Sequence, residues 1–401
     1  MPEVIFIEGC NYEDYPVGGQ LSFARQMMQA FGNQLALVGI STDDTPIGCW
    51  NKKEINGVVY DFFNIGYWRP SSCKPLIPYR ITGYFQIRKY KREIMGFGIR
   101  SVFVQAPEIL FAIQDWGWEN ICCRCPGVKN PLINPRYMWG KIFAGVFYKK
   151  WVSALSKVDL VLAAADDRTI NDFIISSKGK LAKDQIIKFP TRVDTSLFKP
   201  IDKIVSRRQL GINSNIPLIV NCGRINVVKG WKFLVDSFNI LKQNKKDAKL
   251  FFIGDGEDRP KLEHYISQIG LSEHVKIMGF QSSTEIVKYL NAADIIAIGS
   301  KVEGWSIAML EALACGKAIV STPVSGAHDM IVEGCNGYIV KERDTECFAE
   351  AMNLALTLKD AGKISLRIVE KYALKHLSRD LSMLWAPLSL TGRLSTVNMK
   401  G

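Results

Sequence analysis

The chain has 401 residues, 47% apolar and 22% charged, with a formal net charge of +12. Those are ordinary globular proportions for a chain long enough to form two domains with large cores. They exclude a membrane-spanning helix: no apolar run approaches the roughly 18 residues needed, and the best, Ile142 to Tyr148, is far shorter.

The opening, MPEVIFIEGC, has no basic leader and is expected to form a buried strand, Val4–Glu8, rather than a signal peptide. A loop with Gly18 and Gly19 leads into a helical pattern from Leu21 to Phe31, and further strands are expected near 35–40, 101–105 and 158–163. The segment 66–100 sets eight cations (Arg69, Lys74, Arg80, Arg88, Lys89, Lys91, Arg92, Arg100) against the single acid Glu93. They are interleaved with Tyr67, Trp68, Tyr79, Tyr84, Phe85 and Tyr90. A second such stretch, 136–157, mixes Arg136, Lys141, Lys149, Lys150 and Lys157 with Trp139, Phe143, Phe147, Tyr148 and Trp151. Cations beside aromatics suit an anionic bilayer surface, whereas an ordinary solvated helix face is the simpler alternative. No nucleic-acid partner is expected. Among ten cysteines, Cys122, Cys123 and Cys125 look like half a metal site. No second ligand pair follows, so free thiols and no metal are expected.

Residues 189–200, FPTRVDTSLFKP, carry a proline near each end and are expected to link two α/β halves. Beyond them short apolar runs alternate with helix-length segments: Pro217–Asn221 then 231–243, Lys249–Ile253 then 259–269, Val275–Met278 then 283–291, Asp294–Ile298 then 306–314, and Ala318–Ser321. That alternation means βαβ units and a parallel sheet. Such sheets bind ligands at the carboxyl ends of their strands. Glu303 hangs in the loop after strand 294–298. Ser306 is the expected N-cap of the next helix, Gly316 stands just past its end, and Glu311 lies within it. The backbone of Gly304, Trp305 and Ser306 offers N–H groups at that helix start, a place for anions or hydroxyls. Arg224 and Lys229 fall in the loop after strand 217–221, two cations before a helix start, which suits a diphosphate. There is no G-x-x-x-x-G-K-[ST], no G-x-G-x-x-G after the first strand and no D-x-D; Gly254-Asp255-Gly256 alone is a weak signal.

EGWSIAMLEALACGKAIVSTPVSG resembles the E-G-x6-E-A-x-A-x-G-x-P-x-V signature of family 4 retaining glycosyltransferases, and GRINVVKG resembles their G-R…K-G loop. FIGDGEDRPKLE, VKIMGF, YLNAADI, VDTSLFKP and IVEGCNGYIV fall in the order that family shows, so the resemblance covers about 190–345. In the first half it rests on Gly18 and Gly19. The resemblance implies an α/β chain of the GT-B fold, with two Rossmann-like domains facing a cleft. These would be an acceptor-side domain at 1–190 and a donor domain at 191–375, with 376–401 returning as a helix to the first domain. It implies that Arg224 and Lys229 bind the diphosphate of a nucleotide-sugar donor. Glu311 would hold the ribose, Glu303 would be the catalytic residue and hold the transferred sugar, and Met278 to Phe280 would line the base. Gly19 would approach the reacting centre. Where the family often has a histidine in the first domain, this chain reads VFVQAPEIL, so Gln105 or Glu108 would take that place.

The implied function is a metal- and cofactor-independent, retaining transfer of a hexose-type sugar from a UDP- or GDP-sugar. The acceptor would be a glycan or lipid-linked, as in cell-surface polysaccharide or lipopolysaccharide synthesis, and the enzyme cytoplasmic or peripheral on the inner membrane face. The alternatives are an inactive nucleotide-sugar-binding relative and a GT-B nucleotide-sugar epimerase.

Overall fold

The computed structural model describes residues 1–16, 18–68, 79–130, 132 and 142–388, without the side chains of Tyr79 and Arg80. The chain divides into two compact units, Met1–Pro190 with Lys375–Gly401, and Thr191–Leu374.

The first unit is built on β1 (Val4–Ile7), β2 (Leu35–Ser41), β3 (Trp50–Ile55), β4 (Val58–Tyr67), β5 (Ser101–Val104), β6 (Asn120–Cys125), β7 (Leu160–Ala163) and β8 (Ile186–Lys188). They form one sheet in the order β3-β4-β2-β1-β5-β6-β7-β8. All pairings are parallel except β3 with β4. β1 is buried throughout, as a central strand covered on both faces must be. The β3–β4 hairpin was not among the expected elements. Its two-residue turn, Asn56-Gly57, puts both residues at positive φ (51° and 77°), the conformation that matches the twist of paired strands. The run Cys122-Cys123-Arg124-Cys125 is strand β6, with all four side chains buried. Among the described residues no three His, Cys, Asp or Glu side chains are placed to hold a metal.

The second unit carries β9 (Leu218–Cys222), β10 (Lys249–Ile253), β11 (Val275–Ile277), β12 (Ile295–Ile298), β13 (Ala318–Ser321) and β14 (Gly337–Ile339), in the order β11-β10-β9-β12-β13-β14. Every pairing is parallel. The strand order departs from chain order at one point that matters: β9 lies beside both β10 and β12. Their carboxyl ends are therefore neighbours.

Two segments near the chain's division are packed rather than solvated. The proline-flanked stretch expected to be a linker contains Thr191, Arg192 and Val193, all buried. Val193 exchanges backbone hydrogen bonds with the 372–374 segment, and Arg192 Nη1 donates to the Lys371 carbonyl at 2.9 Å. The helix Leu377–Leu384 packs on the helix Gly19–Phe31 of the first unit, and Trp385, 4% exposed, meets Phe103 edge-on at 6.0 Å. No helix among the described residues is long and apolar enough to cross a membrane.

If Trp385 fixes the C-terminal return, Trp385→Ala should destabilise the first unit by about 3 kcal/mol, the usual cost of emptying a buried aromatic site. Hydrogen exchange should speed up in β1 and β5 while the second unit's strands keep their protection. Equal loss of protection in both units would refute this assignment.

Candidate active site

The site is best built from β9 outward. Its carboxyl end runs into Gly223, Arg224, Ile225 and Asn226, then a tight turn over Val227–Lys229, then the helix Trp231–Asn244. Asn226 fixes the turn, its Oδ1 accepting from Lys229 N at 2.9 Å. Gly230 joins turn to helix at φ 73°, and a Cβ built there would lie 1.9 Å from the Gly299 carbonyl oxygen. A left-handed conformation and that contact both demand glycine.

Beneath the Arg224 loop lies the Gly254-Asp255-Gly256 turn. Added Cβ atoms there would lie 2.1 Å from Gly223 O and 2.3 Å from Ile225 O. Ile225 N donates to Asp255 O at 3.0 Å, and Asp258 N to Ile225 O at 3.1 Å. The weak glycine signal thus acts as backing for the cationic loop. Arg224 itself is exposed and has no ion pair among the described residues.

The Glu303 loop leaves β12 beside this turn. Gly299 O accepts from Arg343 Nη1 at 2.6 Å, Ser300 O from Thr322 Oγ1 at 2.6 Å, and Lys301 N donates to Val228 O at 2.7 Å. So braced, Glu303 Oε1 accepts from Lys229 Nζ at 2.6 Å and from Ser300 Oγ at 2.7 Å. Two residues read from separate motifs are therefore in contact. The Glu303 side chain is 11% exposed, which makes its partner count decisive: Oε1 is committed and Oε2 has no partner among the described residues.

The next helix, Ile307–Ala314, is capped by Ser306, whose Oγ accepts from Met309 N at 3.4 Å. Gly304 is half-buried. Trp305 turns its ring inward against Tyr372 at 5.5 Å and over Gly326, so it offers the site its backbone and not its indole. Glu311 is half-buried with no hydrogen bond or ion pair among the described residues, and burial pushes its carboxyl up to about 8. Both its oxygens are free. A carboxylate with two free oxygens suits a vicinal diol; one with a single free oxygen suits a single hydroxyl.

Met278 and Phe280 follow β11. Met278 is half-buried with its carbonyl accepting from Gln281 Nε2 at 2.7 Å, and Phe280 stands 71% exposed beside the Gly254–Gly279 bridge. An exposed aromatic at a strand's carboxyl edge can stack on a planar ring.

In the first unit, Gly19 is exposed at the start of its helix and Glu108 half-buried in the first turn of the helix Pro107–Ile113. Gln105 is buried and fully occupied. Its Nε2 donates to Glu8 Oε2 at 3.0 Å and to Gln20 O at 3.2 Å, while its Oε1 accepts from Arg124 Nη1 at 3.0 Å. Arg124 lies over the Phe23 ring at 3.8 Å, and burial lowers its pKa to about 9. Glu8 and Arg124 were not anticipated as polar partners, because each sits at the end of or inside an apolar strand run. The network ties the ends of β1, β5 and β6 to the first turn after Gly19.

The raised Glu311 carboxyl has a consequence for stability. At pH below about 4.5, its ordinary value, folded and unfolded chains both hold the proton. As pH rises to about 8 the unfolded chain has released it and the folded one has not, so stability is lost across that window. Glu311→Gln should therefore stabilise the ligand-free protein by on the order of 3 kcal/mol at pH 8 and by little at pH 4.5. Denaturant titrations at the two pH values measure it, and a pH-independent difference would refute it.

Residues 202–375 match the family model described as glycosyl transferases group 1. The D-inositol 3-phosphate glycosyltransferase of Stackebrandtia nassauensis is 26% identical over 183 residues, 43% of this chain and 41% of that protein. The chain thus matches less than half the length of such curated relatives. Among solved structures, the sucrose-phosphate synthase of Thermosynechococcus elongatus superimposes with a TM-score of 0.76 at 16% identity, over 96% of this chain and 98% of that one. Anabaena HepE, solved in complex with UDP, gives 0.70 at 16% identity over 96% and 99%. At such identities the likeness concerns the fold alone: two Rossmann-like α/β units of the GT-B type. The likeness to the glycosyl transferases group 1 family is thus carried by residues 202–375, less than half of the chain.

Proposed function

We propose that the chain is a retaining glycosyltransferase moving a hexose-type sugar from a nucleoside-diphosphate sugar to a glycan or lipid-linked acceptor. The observation that carries this reading is the arrangement at one sheet edge. An unpaired cation (Arg224), a cation shared with a carboxylate (Lys229 with Glu303) and an uncommitted half-buried carboxylate (Glu311) line neighbouring strand ends. Diphosphate, sugar and ribose are the three chemistries those groups complement, and they occur joined in a nucleotide sugar.

In this reading Arg224 and Lys229 neutralise the donor diphosphate, a task that leaves no need for a metal. Glu311 accepts hydrogen bonds from the ribose diol, and Glu303 Oε2 from one sugar hydroxyl. Met278 and Phe280 border the base, and the backbone of Gly304, Trp305 and Ser306 faces the sugar and phosphate. In the first unit, Gly19 and Glu108 are the assigned contacts to the reacting sugar or acceptor, and Gln105 holds the Gly19 helix start in place. The sugar's bond to the diphosphate oxygen breaks as the acceptor oxygen attacks from the same face. The acceptor's proton passes to the departing phosphate oxygen, so no strong protein base is required. HepE was solved with UDP, which supports a nucleoside-diphosphate ligand for this fold. Synthesis of a cell-surface polysaccharide or lipopolysaccharide, on the cytoplasmic side, is the setting we assign.

Substitutions separate the roles. Arg224→Ala should weaken nucleoside-diphosphate binding by about 1.5–3 kcal/mol, the range for hydrogen bonds to charged groups, with the nucleoside little affected. Equal losses for nucleoside and diphosphate would sink the assignment. Glu303→Gln releases Lys229 from its carboxylate, so diphosphate affinity should hold or rise while turnover falls at least about tenfold, roughly 1.4 kcal/mol of barrier. Full turnover in Glu303→Gln would remove Glu303 from the reaction.

A further inference from the structure

Three aromatics of the basic segment 66–100 are half-buried. Trp68, Tyr84 and Tyr90 pack against the first unit's core, Tyr90 meeting Phe63 edge-on at 5.6 Å. Arg69 and Lys74, the side chains of Tyr79 and Arg80, and Arg136, Trp139 and Lys141 lie outside the described residues. Besides Tyr67 (44%), the fold exposes an apolar set that includes Phe85 of the segment's aromatics. On the helix Tyr79–Lys89 these are Ile81 (39%) and Phe85 (64%), and at the start of the helix Ala144–Leu155 they are Ile142 (79%), Phe143 (54%) and Val146 (57%).

Topology brings the two groups to one rim. β4 and β6 are parallel members of the sheet, and a helix that follows a parallel strand runs back along it, so both helices start at the sheet's carboxyl edge. The short helix Pro107–Ile113 packs between them, with Phe111 and Phe147 in edge contact at 5.6 Å. Lys89 follows Phe85 by one turn, and Lys149 and Lys150 follow Val146 by one turn, all three exposed; Arg88, Lys91 and Arg92 are exposed further along, at the end of the first helix and the start of the next, beside the exposed acid Glu93. Asp115 approaches Arg88 at 3.4 Å.

We propose that this rim docks on an anionic bilayer, with Ile142, Phe143 and Val146 as the inserting wedge and Lys89, Lys149 and Lys150 as the cations nearest the exposed apolar side chains. An exposed apolar cluster flanked by cations fits a surface that is apolar within and anionic at its face. A soluble acidic protein would meet the cations and leave five apolar side chains needing a matching groove. Gly19 and Glu108 share this carboxyl edge, so the bilayer would present a lipid-linked acceptor to the first unit. That last step rests on the transferase reading; the docking does not.

The full chain is sedimented with vesicles of phosphatidylcholine alone or with phosphatidylglycerol. Binding is expected only with the anionic lipid. High salt should remove part of it, because screening acts over about 8 Å at physiological ionic strength and shorter distances above that. Ile142→Ser with Phe143→Ser and Val146→Ser should abolish the salt-resistant part. Arg88→Ser with Lys89→Ser, Lys149→Ser and Lys150→Ser should reduce low-salt binding at least about tenfold. Nucleoside-diphosphate binding should be unchanged in both variants, which separates failure of docking from failure of the donor site and shows that the second unit is intact. No binding of the wild-type chain at low salt overturns the proposal. So does an apolar-to-serine variant that keeps its vesicle binding but changes the oligomeric state, which would assign the wedge to a second copy. If that variant does not fold, the charge variant alone decides.

Discussion

No side chain fits between Gly230 and the carbonyl of Gly299, and the candidate site of the second unit is organised around that contact. It presses the turn after β9 onto the turn after β12, and Arg343 holds the Gly299 oxygen from the other side. Only with the two turns in register does the Lys229 ammonium reach the Glu303 carboxylate at 2.6 Å. Backbone proximity comes first, and the ion pair follows from it. The pair in turn sets what each partner has left to offer a ligand: Lys229 keeps its remaining N–H donors, Glu303 one oxygen.

The two glutamates show how environment divides labour between identical side chains. Glu303 sits in a loop with a cation and a hydroxyl on one oxygen, which compensates its near-complete burial. Glu311 sits in a helix with no compensating partner, and its carboxyl rises to about 8. An uncompensated carboxyl is costly unless a ligand supplies the hydrogen bonds, so its retention in a folded core edge is understood as a ligand's place rather than a structural one. In the first unit the opposite solution appears. Gln105 stands between the buried Glu8 and Arg124 and bonds to each, forming a network that supports the helix after Gly19.

Much of this was legible in the residues. Short apolar runs alternating with helix-length stretches gave the strands and helices between 217 and 321 to within a residue or two, and Ser306 and Gly316 marked the helix that carries Glu311, whereas β14 and the second unit's helices outside that range were not read. The Lys229–Glu303 contact was not legible, because 74 residues separate the pair and strand order, not chain order, makes them neighbours. The Asn56-Gly57 hairpin was signalled by its Asn-Gly pair, but its first strand, WNKKEI, is mostly polar and the stretch lay outside those that were read. Arg124 was hidden for a physical reason: a buried cation in a strand shows no periodicity, and its neighbours drew attention as thiols. The packing of 191–193 was not legible, because the flanking prolines are local signals, whereas its partners at 371–374 lie at the far end of the unit's sequence.

The central claim is that Glu311 is the nucleotide's ribose anchor. Ribose hydroxyls donate to a carboxylate, so binding at pH 7 must ionise a group that is protonated when the site is free. Calorimetric titration with UDP and GDP in buffers of different ionisation enthalpy counts that proton. For whichever nucleotide binds, the account predicts release of close to one proton by the wild-type chain beyond that seen with Glu311→Gln, with weaker binding by the variant. The same proton count and the same affinity in both would contradict it.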